Sequence, residues 1–266
     1  MINSDFGVQP KKINKGESLI FAHKGIAKYY PENSAKSFDA CKSVGLMAIE
    51  ADVRQTADGN LIIFHDSNTK RMLGHDAIVH EVDFHFFNDK YLISENPSDS
   101  LKVLTIDKFL QRYKDDYFIY LDIKTANNDV ADRLIQKFEA YDLYDKCIVA
   151  DADFLFLSYL KYKDARIITA LEGFGAGKGF LYHFIPERLM PDYFASFLSQ
   201  VDVDYIDFLK GKGLMDRYIA YDVNLTNILK AESLGVKHII MDYDTILGEN
   251  HSIPEYSNML KNQDRR

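Results

Sequence analysis

Short apolar runs rich in β-branched and aromatic residues alternate along nearly the whole chain with segments of helical periodicity. This alternation is typical of a parallel sheet whose strands are connected by helices. Eight of the runs have nearly continuous apolar interiors, as strands covered on both faces do. The predicted strands are Leu19–His23, Met47–Val53, Phe118–Lys124, Cys147–Ala150, Ala165–Ala170, Val203–Asp207, Tyr218–Val223 and His238–Asp242. This succession predicts an α/β fold, a (β/α)8 barrel of the TIM type.

The connections between these strands predict helices in most places and an insertion in one. Residues 33–44 place apolar side chains along one side of a helix that ends at Gly45, and residues 225–234 repeat this arrangement. About 65 residues separate Val53 from Phe118, more than one crossover needs. They include a hairpin strand, Leu61–His65. We therefore expect one barrel domain over residues 1–266, with residues 67–102 as an inserted excursion after the second strand that shapes the substrate pocket.

The charge balance limits the ligands that this chain can bind. With 32 basic and 40 acidic side chains, the net charge of -8 argues against nucleic acid and favours a small-molecule partner. Two cysteines without a pairing or metal-ligand pattern favour a reducing compartment. The polar amino-terminal residues do not form a signal-peptide pattern, and no apolar run approaches the ~20 residues of a transmembrane helix. A cytoplasmic protein without a transmembrane segment is expected.

Charged and imidazole side chains interrupt the apolar strands near their carboxyl ends, where parallel barrels build their active sites. These residues are His23, Lys24, Glu50, Asp52, His65, Asp122 and Lys124. Three converging carboxylates need a neutralising cation, and an all-oxygen set suits one divalent ion, Mg²⁺ or Ca²⁺. Two lysines suit a phosphate group, and two histidines suit acid–base catalysis near neutral pH. Together the set predicts metal-assisted phosphoryl chemistry.

Each of these residues, taken alone, has a plain structural explanation. A strand-end histidine is commonly a hydrogen-bonding structural residue, and isolated acids or lysines are commonly solvated. The assembly favours function, because the acids alternate within strands that are otherwise apolar. Burying such charges without a ligand or partner would cost several kcal/mol each.

A series of short motifs follows along the chain in a fixed order. The motifs are Ala22-His23-Lys24-Gly25, Pro31-Glu32-Asn33-Ser34, Ile49-Glu50-Ala51-Asp52-Val53, Asp58-Gly59, Phe64-His65-Asp66, Val103-Leu104-Thr105-Ile106-Asp107, Leu121-Asp122-Ile123-Lys124, Tyr221-Asp222-Val223-Asn224, Leu234-Gly235-Val236 and Ile239-Ile240-Met241-Asp242. In this order they resemble the glycerophosphodiester phosphodiesterase family. The resemblance spans roughly residues 19–247, and its amino-terminal cluster is the most specific part.

The resemblance implies a barrel that holds one divalent cation and hydrolyses glycerophosphodiesters to glycerol 3-phosphate and an alcohol. By position it assigns His23 and His65 as catalytic acid and base, Glu50, Asp52 and Asp122 as metal ligands, and Lys24, Lys124 and Tyr221 as substrate-binding residues. Glu32 and Asn33 match a loop that supports the first histidine, although Asn33 would equally suit the N-cap of the next helix. Lys24, Asp122 and Tyr221 replace the family's usual Arg, Glu and Trp, which bears on the substrate more than on the reaction.

Other functions stay open at this point. Residues 172–200 are rich in Phe and Tyr, which suits a lysophospholipase D-like enzyme, with a glycan phosphodiester hydrolase as a further alternative. The same side chains could also pack against a partner subunit, so a homo-oligomer is a further expectation, or form a helix core at Tyr193, Phe194 and Phe197. Glu172 is a weaker candidate for contact with substrate or metal. A catalytically weak barrel that binds phosphodiesters is the remaining alternative.

Overall fold

The computed structural model describes residues 10–95, 101–175 and 177–243. Eight parallel strands close into a barrel, because β1 (Leu19–Ala22) pairs with both β2 (Ala48–Gln55) and β9 (His238–Met241). The strands between them are β4 (Phe118–Ile123), β5 (Cys147–Asp151), β6 (Ile168–Leu171), β7 (Tyr193–Phe197) and β8 (Tyr218–Val223). A short strand outside the barrel, β3 (Leu61–Ile63), pairs with β2 in the antiparallel direction. The predicted TIM-type barrel is confirmed.

Helices surround the barrel and bury one apolar face each. They are α1 (Ala35–Ser43), α2 (Lys70–Leu73), α3 (Ile106–Tyr113), α4 (Asn128–Tyr141), α5 (Phe154–Lys163), α6 (Val203–Gly211) and α7 (Ile228–Ser233). The N-cap of α1 is Ser34, whose hydroxyl accepts from the backbone of Ser37, so the N-cap interpretation of Asn33 is wrong. Among the helices within the described ranges, none combines the length and the apolar character that a membrane crossing requires.

One strand lies elsewhere than the sequence predicts. Residues 203–207 form the start of α6 instead of the sixth predicted strand, because the Asp202 side chain accepts from the Tyr205 backbone N–H at 2.8 Å and caps a helix there. The sixth strand of the barrel is β7, which contains Tyr193, Phe194 and Phe197, the residues interpreted as a helix core. Both β7 faces are buried up to Ser196, so its apolar run lacks the alternation that distinguishes strands from helices.

The chain before β1 closes the amino end of the barrel. The Lys11 backbone N–H donates to Asp192 at 2.9 Å, and the Ile13 N–H donates to the Tyr193 hydroxyl at 2.9 Å. Asp192 is buried and also accepts from the ammonium group of Lys161. Because these contacts block the amino end, the barrel opens at the carboxyl ends of its strands.

The connection between β2 and α3 packs around a hydrophobic cluster of its own. Ile62 and Phe64 of the hairpin meet Leu73 of α2, together with Val79 and Phe87. This cluster fixes α2 beside the carboxyl mouth of the barrel and anchors the polar residues that α2 presents there.

The buried His238 makes the stability of the folded protein depend on pH. Its side chain is 0% exposed, and its ring lies edge-on to Tyr193 with 5.7 Å between centroids. Burial lowers the pKa of His238 to about 4. In the unfolded chain the imidazole takes up a proton near pH 6.5, so the unfolded state binds more protons between about pH 6.5 and 4. Stability is therefore lost as the pH falls through this window.

Replacing His238 by Leu should remove this loss. Between pH 7 and pH 5 we expect the wild-type protein to lose about 2 kcal/mol more unfolding free energy than His238→Leu, measured by urea denaturation at both pH values. His80→Leu, at an exposed position, should follow the wild type. If the unfolding free energies of His238→Leu and the wild type changed equally with pH, His238 would not be the cause of the loss of stability.

Candidate active site

A cavity of about 300 Å³ opens at the carboxyl ends of the barrel strands. Its walls include His23, Lys24, Glu50, His65, Asp122, Lys124, Glu172, Phe197, Tyr221, Asp222, Ile240 and Asp242. The eighth residue of the predicted set, Asp52, lies beneath this wall with 0% exposure. The structure therefore brings together all eight side chains that the sequence singled out.

Three carboxylates meet at the floor of the cavity. Glu50 and Asp52 are two residues apart on β2 and share a face, and Asp122 pairs directly with Asp52 across the sheet. One oxygen of each lies within 4.8 Å of the others. Burial first, and then repulsion by Asp52, raises the pKa of Glu50, and burial likewise raises the pKa of Asp122. Both shifts disfavour the simultaneous ionisation of the three carboxylates in the absence of a further cation.

The free oxygens of this cluster fit a divalent ion. Glu50 Oε1 and Asp52 Oδ1 are buried and make no hydrogen bond within the described part of the chain. Such oxygens are costly unless something binds them. A set of carboxylate oxygens suits a hard cation such as Mg²⁺ or Ca²⁺, so the residues present fit the metal that the sequence predicted.

A left-handed turn after β1 orients the first of these ligands. Lys24 and Gly25 have φ angles of 56° and 76°, and the turn aims the Lys24 backbone N–H at Glu50 Oε2, 2.7 Å away. A Cβ on Gly25 would lie 2.6 Å from the Ser37 backbone carbon, so glycine is required there. Lys24 and Gly25 belong to the His-Lys-Gly motif seen in the sequence.

Asn33 holds the second ligand. Its amide Nδ2 donates to Asp52 Oδ2 at 2.7 Å, and its Oδ1 accepts from the Asp52 backbone N–H at 3.2 Å. Asn33 adopts a left-handed φ of 58° to do so. The sequence-based expectation placed Asn33 beside the first histidine, whereas the structure places it against Asp52.

Two lysines supply positive charge beside the acids. Lys124 Nζ lies 2.5 Å from Asp122 Oδ2 and 3.4 Å from Asp52 Oδ1. Burial alone would lower the pKa of Lys124, but Asp122 and Asp52 raise it, so the ammonium form persists. Lys24 Nζ lies between Glu32 Oε1 at 3.7 Å and Asp52 Oδ2 at 3.8 Å. Both ammonium groups can therefore meet an anion that enters the cavity.

Each histidine is backed by a carboxylate. His23 Nδ1 lies 2.5 Å from Asp242 Oδ1, and His65 Nδ1 lies 2.8 Å from Asp66 Oδ1. Burial opposes charge on His23, but the Asp242 hydrogen bond and the Glu50 charge prevail and raise the pKa of His23 to about 9. With Nδ1 engaged in both rings, Nε2 is the nitrogen left for a ligand. The sequence motifs contained both aspartates, but no role was predicted for either.

The remaining wall combines an acid with aromatic rings. Glu172 Oε1 accepts from the Tyr120 hydroxyl at 2.8 Å, and burial together with Asp122 raises the pKa of Glu172 to about 8. Phe197 and Tyr221 meet edge to face with 4.5 Å between ring centroids. Phe197 was assigned to a helix core, so its place at the mouth follows from the correction of β7. These rings give one side of the cavity an apolar surface.

Comparison with known proteins assigns the chain to a family. The sequence model of the glycerophosphoryl diester phosphodiesterase family matches residues 23–240. The chain belongs to this family. The resemblance of its motifs is thereby confirmed.

Individual relatives match parts of the chain. The glycerophosphodiester phosphodiesterase of Bacillus subtilis is 27% identical over 140 residues, 48% of this chain and 48% of that protein. The protein of the same name from Caldanaerobacter subterraneus is 35% identical over 63 residues, 24% of this chain and 26% of that protein. This chain therefore aligns with less than half of the length of either relative.

Solved structures share the fold over most of its length. A phosphodiesterase of Oleispira antarctica in complex with the product sn-glycerol-3-phosphate has a TM-score of 0.73 and 18% identity, covering 86% of this chain and 94% of that one. A putative glycerophosphoryl diester phosphodiesterase of Silicibacter pomeroyi has a TM-score of 0.73 and 16% identity, covering 92% and 94%. At these identities the likeness shows the common barrel.

The Asp242–His23 pair provides a direct test of the site. Asp242→Asn keeps the shape but removes the charge that orients the ring, and we expect turnover of a phosphodiester to fall roughly 10²- to 10⁴-fold with the fold retained. Steady-state kinetics and circular dichroism measure the two effects. Asp132→Asn, on α4 outside the cavity, should keep wild-type turnover. Unchanged turnover in Asp242→Asn would show that the pair does not act in catalysis.

Proposed function

We propose that this protein is a metal-dependent phosphodiesterase that hydrolyses glycerophosphodiesters to glycerol 3-phosphate and an alcohol. The observation that carries this proposal is the meeting of two carboxylate-backed histidines and two lysines over a buried three-carboxylate cluster in one cavity. Membership of the family and the product complex of the Oleispira antarctica protein support the same reaction.

The acid cluster defines the metal part of the proposal. Glu50, Asp52 and Asp122 would hold one Mg²⁺ or Ca²⁺, which supplies charge stabilisation to the phosphoryl oxygens when bound. Lys24 and Lys124 bind the remaining phosphate charge from opposite sides of Asp52. This arrangement positions the phosphorus atom within the cavity, near both histidines.

The histidines carry the proton transfers. One ring takes the proton of the nucleophile, which is water or a neighbouring substrate hydroxyl, as the new P–O bond forms. The other ring donates a proton to the alcohol oxygen as the old P–O bond breaks. If the substrate hydroxyl attacks first, a cyclic phosphate forms and water then opens it with the two rings exchanging roles. His23 and His65 are both held through Nδ1, so both present Nε2 for these transfers.

The aromatic wall bears on the alcohol that leaves. Tyr221, with Phe197 packed against it, forms the side of the cavity that the leaving group would contact. Phe180 and Phe184, on the connection between β6 and β7, are 63% and 76% exposed. This exposed apolar surface favours a lysophospholipid as the second candidate substrate, and a substrate panel separates it from short glycerophosphodiesters.

The setting of the enzyme is part of the same proposal. Cys41 and Cys147 are free and buried, which supports a reducing compartment such as the cytoplasm. Residues 1–266 would act as one catalytic unit, and residues 67–102 would act on the pocket from beside it, since none of the described residues in that range lines the cavity. The cluster that fixes α2 beside the mouth supports this arrangement.

Release of glycerol 3-phosphate from glycerophosphocholine tests the reaction. With Mg²⁺ or Ca²⁺ we expect turnover that EDTA abolishes and that added metal restores. Turnover of lysophosphatidylcholine alone would select the lysophospholipid alternative. No turnover of either substrate by a protein that binds the metal would contradict the proposed activity and favour a phosphodiester-binding barrel.

Substitution of the histidines tests the proton transfers. His23→Ala and His65→Ala should each reduce kcat roughly 10²- to 10⁴-fold while the fold persists, because each ring supplies one transfer. His80→Ala, at an exposed site in the insertion, is the matched control and should behave as wild type. Near-normal kcat in both active-site variants would rule out the assignment.

A further inference from the structure

We propose that Arg71, on α2 of the insertion, is a positioning residue that holds His65 and Lys24 in their working geometry through two carboxylates. This inference rests on the proposed function, because the two groups it positions are a catalytic histidine and a phosphate-binding lysine there. None of the sequence motifs above assigns Arg71 a role, and its guanidinium reaches neither the acid cluster nor the cavity wall.

The guanidinium of Arg71 joins two acids that belong to different segments. Its Nε and Nη2 donate to Asp66 Oδ2 and Oδ1 at 2.6 and 2.9 Å. Its Nη1 and Nη2 donate to Glu32 Oε2 and Oε1 at 2.9 and 2.7 Å. One planar group thus makes two forked contacts, a geometry that a lysine ammonium cannot reproduce.

Each of the two acids also contacts a residue of the candidate active site. Asp66 Oδ1, which accepts from Arg71, also lies 2.8 Å from His65 Nδ1. Glu32 Oε1, which accepts from Arg71, also lies 3.7 Å from Lys24 Nζ. Arg71 therefore sits at the junction of two chains of contacts that end at the cavity.

The charges explain why this junction needs a cation. Ligand atoms of Glu32, His65 and Asp66 lie within 4.8 Å of one another, so the two carboxylates repel each other when nothing lies between them. Arg71 neutralises this pair and fixes its spacing. Without Arg71, Asp66 is free to rotate away from His65 Nδ1, and Glu32 is free to draw Lys24 away from the phosphate.

A second arginine fork provides the matched control. Arg112 donates from Nε and Nη2 to Asp39 Oδ1 and Oδ2 at 3.0 and 2.6 Å, and its side chain is 56% exposed, close to the 51% of Arg71. That fork joins α1 to α3 outside the barrel. Arg112 joins one carboxylate where Arg71 joins two, but both are half-exposed arginine forks between segments, and of the two only the Arg71 fork connects to His65 and Lys24.

The experiment compares Arg71→Ala, Arg71→Lys and Arg112→Ala in the metal-loaded, full-length protein. We expect Arg71→Ala to lower kcat 10- to 100-fold and to raise KM while its circular dichroism stays that of the folded wild type. Arg71→Lys should recover only part of the loss. Free guanidinium, well below denaturing concentrations, should partly restore Arg71→Ala, whereas an equal concentration of NaCl should not. Arg112→Ala should keep wild-type kcat and KM.

The outcomes decide the role in each case. Equal kinetics of Arg71→Ala and Arg112→Ala would overturn the proposal. A loss in Arg71→Ala that accompanies loss of the folded circular dichroism signal and resists guanidinium would also overturn it, since the role would then be structural.

A readout that needs no turnover separates this proposal from the proposed activity. The ¹⁵N shifts of the His65 ring, assigned with His65→Gln, report which nitrogen carries the proton. We expect Nδ1–H in the wild type and a mixture of tautomers in Arg71→Ala. If the wild type does not hydrolyse glycerophosphodiesters, the tautomer still tests the positioning role, and an unchanged tautomer in Arg71→Ala would contradict it.

Discussion

The burial of negative charge at the mouth of the barrel is the constraint on which the rest of the site depends. Glu50 and Asp52 are almost fully buried, and Asp122 stands opposite Asp52 in the next strand. Carboxylates in such surroundings persist as anions only when cations and hydrogen-bond donors meet them. The left-handed turn at Lys24 and the amide of Asn33 supply donors to the two buried acids. A divalent ion would supply the charge that the protein leaves unbalanced.

From this centre outward, basic and acidic side chains contact one another in turn. Lys24 lies between Asp52 and Glu32, and Arg71 lies between Glu32 and Asp66, which in turn orients His65. The insertion after β2 thus connects to His65 and Lys24 through ion pairs instead of through its own hydrophobic cluster. Met72 and Leu73 of α2 are buried in that cluster, and this packing anchors the helix that carries Arg71. The barrel fold brings these segments together, and the ion pairs between them fix the positions of the side chains at the mouth.

Functional residues could be predicted from the sequence where a single segment contained both a strand or helix pattern and the reactive side chains. Glu50 and Asp52 could be assigned because their spacing on a strand fixes a shared face. Asp242 and Arg71 were missed as functional groups because their roles arise from partners 219 and 39 residues away, contacts that no local pattern contains. The strand β7 was missed because a run that is buried on both faces, as residues 193–196 are, has no alternation to distinguish it from a helix core. Residues 203–207 suggested a strand by composition, and the Asp202 cap made them a helix.

The most direct test of this account is the binding of Mg²⁺ or Ca²⁺ measured by calorimetry on the wild type and on Asp52→Asn, with the melting temperature recorded with and without metal. Asp52→Asn keeps the size of the side chain but removes a charge that also faces Lys24 and Lys124, so the metal-free melting temperature of the variant is needed to show that it folds. The account predicts one ion per wild-type chain, with a melting temperature that rises with metal, and neither effect in Asp52→Asn. No binding to the wild type, or equal binding to both proteins, would contradict the central role of the acid cluster.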